Sequence, residues 1–330
     1  MTTARFLPSN PNHSLHRRAY PKRGLTLSGE AEKSAKNDSP PKGQTPFRTG
    51  SYTRIGLLRM NQFAICNETF GDWPLEKAVS LAAELGYTGW EVAPFMLNTD
   101  ARLITQDQRN EYRKTVEAAG LKIIGLHWLL AKTTGFHLTT TDREVRTQTA
   151  AYFRELIRLC ADLGGELMVL GSPLQRNRPE GLSLETAHAN AAELLSSLHD
   201  DLVKFNVRIA LEPLGPEEGN FLNTADEARQ LKQLIASDHI GLHLDVKAMS
   251  AEPEPIVDII RKHADWMIHF HANDPNRRGP GMGDVDFAPI LQTLKEVGYD
   301  GWLSVEVFDY SLGAERLAAD SIATLKRPLA

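Results

Sequence analysis

The sequence is poor in cysteine and contains no long hydrophobic run. Its 330 residues include two cysteines, too few for a disulfide framework, so we expect a reducing compartment and a cytoplasmic protein. No apolar stretch approaches the roughly 18 residues that are needed to span a bilayer. We therefore expect a soluble protein that has no membrane partner.

The chain also lacks an overall excess of positive charge. Residues 1–59 contain 11 Lys and Arg against 3 Asp and Glu, a balance of +8; because the whole chain carries −5, the remaining residues carry −13. A phosphate backbone attracts basic protein surfaces. The acidic main part of the chain therefore argues against a nucleic-acid partner.

Residues 1–59 contain little that could build a core. They are rich in Pro, Asn, Arg and Ser and have no hydrophobic period, which is typical of disorder. Pro8, Pro11 and Pro21 break any amphipathic targeting helix, and the continuous apolar core of a secretory signal is missing. We predict either a disordered basic tail over 1–59 or a start codon assigned too early, with Met60 as the true first residue. The folded domain is then 60–330.

From Asn61 onward the pattern of strand, loop and helix repeats eight times, as in parallel βαβ units. Helical patterns end at glycines such as Gly86, and Thr224 followed by Glu227 has the spacing of a capping box. Eight units in about 270 residues favour a closed (β/α)₈ TIM barrel, an α/β fold, over an open sheet. The predicted strands lie near 61–66, 88–93, 121–127, 166–171, 206–212, 240–246, 265–271 and 302–307, and the predicted helices near 74–86, 105–119, 142–163, 183–204, 224–237, 253–263, 287–297 and 311–326.

Acid or imidazole side chains end the last four predicted strands. They are Glu212, Asp245, His271 and Glu306. The strands of such a barrel end on one face, where the active site lies, so we expect the four side chains to converge there. Three carboxylates and one imidazole suit a divalent cation that prefers oxygen ligands. The sequence therefore predicts a metal-dependent enzyme that acts on a hydroxy-carbonyl compound.

The residues two positions earlier on these strands point into the barrel one layer lower. This layer is small or polar, where a barrel usually packs Val, Ile and Leu, and it could hydrogen-bond the metal ligands from below. For its two histidines, a structural role as buried, hydrogen-bonded side chains is equally compatible with the pattern. The layer consists of Ala210, His243, His269 and Ser304.

Two spacings extend the pattern beyond the ligands. Glu212 is followed six residues later by Glu218 and then by a Leu-Asn-Thr segment. His271 is followed six residues later by Arg277 and then by a Gly-x-Gly segment. With the four ordered ligands, these spacings make residues 61–326 resemble the xylose isomerase-like superfamily of sugar phosphate isomerases and epimerases. The best match is its D-tagatose and D-psicose 3-epimerase branch, and the hydroxypyruvate isomerases share part of the strand-7 pattern.

The resemblance implies an isomerase or epimerase that works through a metal-stabilised enediolate. It implies one divalent cation, Mn²⁺ first with Mg²⁺ or Co²⁺ as alternatives, held by the four strand-end residues. It assigns Glu212 and Glu306 a second duty as the acid/base pair, and Glu218 and Arg277 the binding of substrate hydroxyls. A small-molecule sugar or sugar derivative is the expected partner, and a homo-oligomer is suggested.

Further substrate contacts are expected around this core. His127 ends the third strand and points toward the barrel mouth, so we predict that it contacts the substrate. Trp128 or Phe136 could cover an apolar sugar face or pack a loop, and Glu91 could hydrogen-bond within the site or make it rigid.

One position departs from the epimerase pattern. The epimerases carry a substrate-binding His three residues after the strand-6 Asp, where this chain has Ala248. Lys247 beside it is a candidate replacement donor. The departure weakens the prediction of free ketohexose epimerisation and keeps two alternatives open, a lyase or deglycosidase of 3-keto-glycosides and a hydroxypyruvate isomerase-like enzyme.

Two alternative functions from other classes remain. The endonuclease IV enzymes share the fold, but they need a zinc cluster built from several histidines and a basic DNA-facing surface, which the acidic barrel disfavours. A non-catalytic sugar- or metal-binding protein would be favoured by loss of Glu212 or Glu306, and both are present.

Overall fold

A computed structural model describes residues 62–327, and the predictions for residues 1–59 lie outside that range. Eight parallel strands close into a barrel in sequential order, with the last strand paired to the first. The predicted (β/α)₈ barrel is confirmed. The strands are β1 Phe63–Cys66, β2 Gly89–Val92, β3 Lys122–Leu126, β4 Leu167–Leu170, β5 Arg208–Leu211, β6 Ile240–Asp245, β7 Met267–Ala272 and β8 Leu303–Val305.

Helices connect the strands around the outside of the barrel. None of the helices within residues 62–327 has the length and apolar character that crossing a membrane requires. The α-helices are α1 Leu75–Leu85, α2 Gln106–Ala118, α3 Arg143–Asp162, α4 Leu184–Ser196, α5 His199–Phe205, α6 Ala225–Leu234, α7 Val246–Met249, α8 Ile256–His263, α9 Phe287–Glu296 and α10 Ala314–Leu325. Short 3-10 helices lie at Asn67–Phe70, Pro94–Met96, Ala101–Leu103 and Pro173–Gln175.

Three helix predictions needed correction. The helix predicted near 183–204 is two helices, α4 and α5, and the Ser197 hydroxyl at the break donates to the Leu194 carbonyl at 2.6 Å, in competition with the backbone. The helix predicted near 253–263 begins at Ile256 after Pro255, because the residue before a proline is biased away from helix. The additional helix α7 follows β6 directly, capped by the Asp245 side chain.

The capping predictions are largely confirmed. Gly86 ends α1 with φ 91°, the left-handed conformation that glycine adopts without strain. Thr224 accepts a hydrogen bond from the Glu227 amide at 3.1 Å. The Glu227 carboxylate binds the Asn223 amide instead of the Thr224 amide, so this end of α6 has half of a capping box.

Buried side chains lie in two regions, one between the strands and the surrounding helices and one inside the barrel. Outside the strands, large apolar side chains such as Trp90, Phe153 and Phe270 are buried against the helices. Inside the barrel, His243, His269 and the other members of the predicted lower layer are fully buried. The polar side chains are therefore concentrated along the axis that leads to the strand ends.

Candidate active site

The four predicted ligands lie together at the carboxyl ends of β5 to β8. Glu212 directly follows β5, and Glu306 directly follows β8. Asp245 is the last residue of β6, and His271 is the second last of β7. Ligand atoms of Glu212, Asp245 and His271 lie within 4.8 Å of one another, and His271 Nδ1 lies 3.0 Å from Glu306 Oε2. The structure thus brings the buried side chains of Glu212, Asp245 and His271 together, and Glu306 adjoins them through its contact with His271.

The charges at this point are unbalanced. Burial, with the nearby charges of Glu306 and Asp245, raises the pKa of Glu212 well above its ordinary value. Burial and the charge of Glu306 raise the pKa of Asp245 to about 6. Burial also disfavours the charged form of Glu306, but the charge and hydrogen bond of His271 keep its pKa below the ordinary value. Three crowded carboxylates need a positive partner, and oxygen-rich donors of this kind suit a divalent cation.

His243 lies one layer below the four predicted ligands. Its ring nitrogens could also ligate a metal, although His243 is not in the predicted ligand set. Neither of its ring nitrogens has a hydrogen-bond partner among residues 62–327, and Nε2 lies 3.6 Å from Glu212 Oε1. Burial and the charges of His271 and His269 hold the pKa of His243 well below its ordinary value, so the ring is neutral. It falls within the same 4.8 Å group as Glu212, Asp245 and His271. A neutral imidazole that has no hydrogen-bond partner among the described residues is suited to bind a metal as an additional ligand.

Glu91 fixes the orientation of His271. Its carboxylate Oε2 lies 3.1 Å from His271 Nε2 and 3.0 Å from His269 Nε2. Burial would raise the pKa of Glu91, but the charges and hydrogen bonds of these two histidines keep it well below its ordinary value. Burial disfavours the charged form of His271, but the charges of Glu91 and Glu306 raise its pKa well above the ordinary value. Glu91 Oε2 accepts the Nε2 proton, and a cation that binds Nδ1 would replace the proton that Nδ1 shares with Glu306. The prediction that Glu91 would hydrogen-bond within the site is confirmed.

Asp245 is fixed in a similar way. Its Oδ1 accepts from the Ala248 amide at 2.8 Å, and its Oδ2 accepts from the Asn273 side-chain amide at 2.6 Å. The Asn273 oxygen in turn accepts from the Lys247 amide at 2.9 Å. The sequence interpretation missed Asn273, although its position directly after β7 at the strand-end face was a usable signal.

Trp128 and Arg176 support the two glutamates. The Trp128 indole N–H donates to Glu306 Oε1 at 2.7 Å. Neither of the two expected roles of Trp128, covering an apolar sugar face or packing a loop, included this hydrogen bond. The buried Arg176 donates from Nη1 to the carbonyls of Leu170 at 3.0 Å and Glu212 at 2.6 Å, which ties the end of β4 to the end of β5. Arg176 was not predicted, since a loop arginine carries no signal of burial in the sequence.

The absence of a side chain at Gly171 leaves space for the Glu212 carboxylate. A Cβ atom at Gly171, which follows β4, would lie 1.7 Å from Glu212 Oε2. Any larger residue would therefore displace the carboxylate, and glycine is required if Glu212 is to keep this position.

A cavity of about 710 Å³ lies at this face, lined by residues that follow β3 to β8, and Glu212 and Glu306 form part of its wall. Three of the four predicted substrate contacts also line it: Glu218, Lys247 and Arg277. Lys247 Nζ donates to Glu218 Oε2, so these two side chains form an ion pair in the cavity wall. Arg277 is exposed, with φ 71°.

His127, the fourth predicted substrate contact, is in a different place. It is fully buried and is not part of the cavity wall. Its Nε2 lies 2.9 Å from Oε2 of Glu68, a buried residue of the first 3-10 helix, and its ring lies 6.0 Å from that of His271. A direct contact between His127 and a cavity-bound substrate is therefore not supported by the structure.

Cys66 and Phe136 lie outside the cavity wall. Cys66 ends β1 with its thiol 3.8 Å from Glu91 Oε2 and from Ser304 Oγ, so it faces the polar interior while remaining fully buried. Phe136 stacks on Tyr152 at 4.5 Å between ring centroids and packs a loop outside the cavity.

Comparison with known proteins agrees with the barrel fold. Residues 79–327 match the family model described as the xylose isomerase-like TIM barrel. The chain belongs to this family. A relative within curated proteins is D-psicose 3-epimerase of Enterocloster bolteae, which is 26% identical over 245 residues, covering 73% of this chain and 78% of that protein.

Solved structures with the same barrel are also similar. A D-psicose 3-epimerase studied in the presence of D-fructose matches with a TM-score of 0.70 and 20% identity, covering 79% of this chain and 97% of that one. The apo form of a 3-keto-D-glucoside 4-epimerase from E. coli matches with a TM-score of 0.70 and 19% identity, covering 80% and 98%. At these identities the likeness shows the shared fold of the family.

Proposed function

We propose that this protein is a divalent-metal-dependent epimerase or isomerase of keto sugars, which moves a proton on a carbon next to a carbonyl. The observation that carries the proposal is the convergence of three buried carboxylates and an imidazole, with Glu212 and Glu306 both in the wall of one cavity. Membership of the xylose isomerase-like family and similarity to D-psicose 3-epimerases support it.

Glu212, Asp245, His271 and Glu306 would hold the cation, and His243 is a further donor beside them. When bound, Mn²⁺, with Mg²⁺ or Co²⁺ as alternatives, acts as a Lewis acid that stabilises the negative charge developing on the substrate oxygens. Carboxylate-rich sites accept all three ions. Glu91 would keep His271 in the ligating tautomer.

Glu212 and Glu306 would carry the proton. They follow strands three positions apart in the ring and reach the same cavity, so each can face a different side of the substrate. One carboxylate takes the proton as the C–H bond breaks, and the other returns a proton to the opposite face. Return to the same carbon inverts it, whereas return to the former carbonyl carbon relocates the carbonyl, and neither outcome changes the net oxidation state.

Other side chains would orient the substrate. Trp128 holds Glu306 through its indole N–H, and its ring lies in the cavity wall. Lys247, Glu218 and Arg277 offer charged hydrogen-bonding groups on the same wall, which would bind sugar hydroxyls. We also propose a cytoplasmic location, since both cysteines are buried free thiols.

A second candidate is the same proton abstraction on a 3-keto-glycoside, followed by epimerisation or by loss of the aglycone. The buried Ala248 favours it, because it stands where the resembling 3-epimerases carry a substrate-binding His. The similarity to a 3-keto-D-glucoside 4-epimerase is consistent with this candidate.

Deuterium exchange followed by NMR tests the proposal. The enzyme is loaded with Mn²⁺, incubated in D₂O with ketoses, keto-acids and 3-keto-glycosides, and then quenched with chelator. We expect deuterium on the carbon next to a carbonyl, and none with EDTA-treated protein. Failure of every substrate to exchange, with protein shown to contain metal, would refute the proposal.

A further inference from the structure

The cavity is larger than one sugar ring requires. A ketohexose has 12 non-hydrogen atoms; even if each took the about 30 Å³ that a water molecule has in the liquid, they would fill about 360 Å³. The cavity measures about 710 Å³, within the range of about 300 to 1,000 Å³ that encloses larger ligands. About half of its volume would remain after a free ketohexose is bound.

Much of the wall is apolar. Trp128 and Phe308 form one side, with ring centroids 6.0 Å apart. Because the Trp128 indole is bonded to Glu306, this aromatic side begins at the proposed acid/base residue. Pro173, Leu174 and Leu214 contribute apolar surface from the loops after β4 and β5. Lys247 Nζ lies 5.1 Å from the centroid of the Phe308 ring, and the rest of this surface can receive a flat or apolar group.

Leu174 is the most exposed of these side chains and is held in place. It is 76% exposed on the 3-10 helix Pro173–Gln175. Ser172 on one side accepts a hydrogen bond from the Leu130 amide at 3.0 Å, and the buried Arg176 on the other side donates to the carbonyls that end β4 and β5. Leu174 therefore presents an apolar side chain at the cavity wall from an anchored loop, beside Pro173 and Leu214 in the same wall.

The polar side chains of the wall are partly committed to each other. Lys247 and Glu218 are paired, and the Gln175 amide nitrogen donates to the Thr133 carbonyl at 3.4 Å. A site that binds every hydroxyl of a free sugar needs many unpaired donors and acceptors. The Lys247–Glu218 contact uses one donor of the ammonium and one oxygen of the carboxylate, so their remaining donors and acceptors, with those of Arg277, can bind one hydroxylated ring beside an apolar group.

We infer that the substrate is a keto sugar that carries a second, apolar or aromatic group, such as an aryl aglycone. The reacting ring lies at Glu212 and Glu306, and the second group lies against Leu174 and the Trp128–Phe308 side. This inference rests on the proposed function, since it names the substrate class of the same site.

Two matched substrate pairs test it. The first is methyl and phenyl 3-keto-β-D-glucopyranoside, and the second is the 6-O-methyl and the 6-O-benzyl ether of D-fructose. Within each pair the reacting ketone is the same. Metal-dependent deuterium incorporation next to the carbonyl gives kcat/KM for each compound. We expect the aryl member of at least one pair to react with a kcat/KM about tenfold higher or more, since even one extra methylene in a fitting pocket gives about tenfold.

Variants localise the second group. Leu174→Asp should reduce the aryl preference by about threefold or more, because it places a charge against the apolar group. Leu103→Asp is the matched control, since Leu103 is 63% exposed on another 3-10 helix and is not part of the cavity wall. It should leave the preference unchanged.

The outcomes separate the two proposals. If the smaller member of both pairs reacts faster, the inference is wrong while the proposed function stands. If none of the four compounds exchanges but another ketose, keto-acid or 3-keto-glycoside does, the inference is wrong and the proposed function stands, whereas failure of every compound refutes both. If Leu174→Asp leaves the preference unchanged but alters the oligomeric state in sedimentation, Leu174 is a subunit contact and the placement of the second group is overturned.

Discussion

At the residue scale, the proposed acid/base chemistry rests on two glutamates with different surroundings. Glu212 has neighbouring carboxylates, and Glu306 has a histidine and an indole donor. Two carboxyl groups whose environments push their pKa values apart are typical of acid/base partners. The difference arises from neighbours on other strands and not from the residue type.

Replacing either glutamate by glutamine should stop turnover and keep the fold. We expect kcat to fall at least about 100-fold in Glu212→Gln and in Glu306→Gln, because general acid/base groups contribute about 10² to 10⁴. Steady-state epimerisation kinetics and thermal melts would measure this. Glu315→Gln, at an exposed glutamate of α10, is the control and should behave as wild type. Near wild-type kcat in either site variant would contradict the mechanism.

Glu91 should act on the metal through His271. In Glu91→Gln we expect Mn²⁺ affinity to fall by about 10- to 100-fold, the usual cost of losing the partner of a ligating histidine. Mn²⁺ titration followed by EPR would measure it. Glu68→Gln is the comparison: Glu68 is also buried and is bonded to a histidine that is not a proposed ligand, and although both lie within 4.8 Å of a Glu306 oxygen, we expect it to cause the smaller loss. Equal losses in both variants would show a general effect of buried charge.

At the element scale, the loops after β4 and β5 are joined through one guanidinium. Arg176 binds the carbonyls of Leu170 and Glu212, and burial lowers its pKa to about 10 although Glu212 opposes this. The backbone position of Glu212 therefore depends on a residue from the neighbouring loop, which is a contact between elements and not a property of β5.

Arg176→Met should reduce both stability and catalysis. We expect a loss of about 2 to 4 kcal/mol in the free energy of unfolding, because two buried charge-assisted hydrogen bonds disappear, and a lower kcat with a displaced Glu212. Arg109→Met is the control: Arg109 is also buried, and it binds Glu155 and Asp162 away from the cavity. Urea unfolding and kcat should separate the two. An unchanged kcat in Arg176→Met would remove its positioning role.

At the scale of the whole molecule, barrel closure places four residues from four strands at one point. The ends of β5 to β8 meet because each strand pairs with the next and β8 pairs with β1. A cation bound there would link four elements at once, so metal binding and the stability of the barrel should be coupled.

Metal loading should therefore raise the thermal midpoint. At a free Mn²⁺ concentration about 100 times Kd, stabilisation is about 2.7 kcal/mol, which corresponds to an increase of roughly 5 to 10 °C for a domain of this size. Differential scanning fluorimetry of EDTA-treated and reloaded protein would measure it. The double variant Asp245→Asn, His271→Asn should show no increase, and an equal increase in that variant would place the metal elsewhere.

The sequence by itself determined the periodic order of strands and helices, the acidic character of the main part of the chain and the acid or imidazole residue that stands at each of the last four strand ends. Those features are local: a hydrophobic period, a glycine after a helix and an acid at a strand end can be recognised in a few neighbouring residues. Only the tertiary structure decided that Glu91 holds His271 and that Arg176 holds Glu212. It also showed that His127 is bonded to Glu68 and does not line the cavity where a substrate contact was expected. These partners are 36 to 180 residues apart, and their contacts depend on which side chains barrel closure turns inward, which no local pattern specifies.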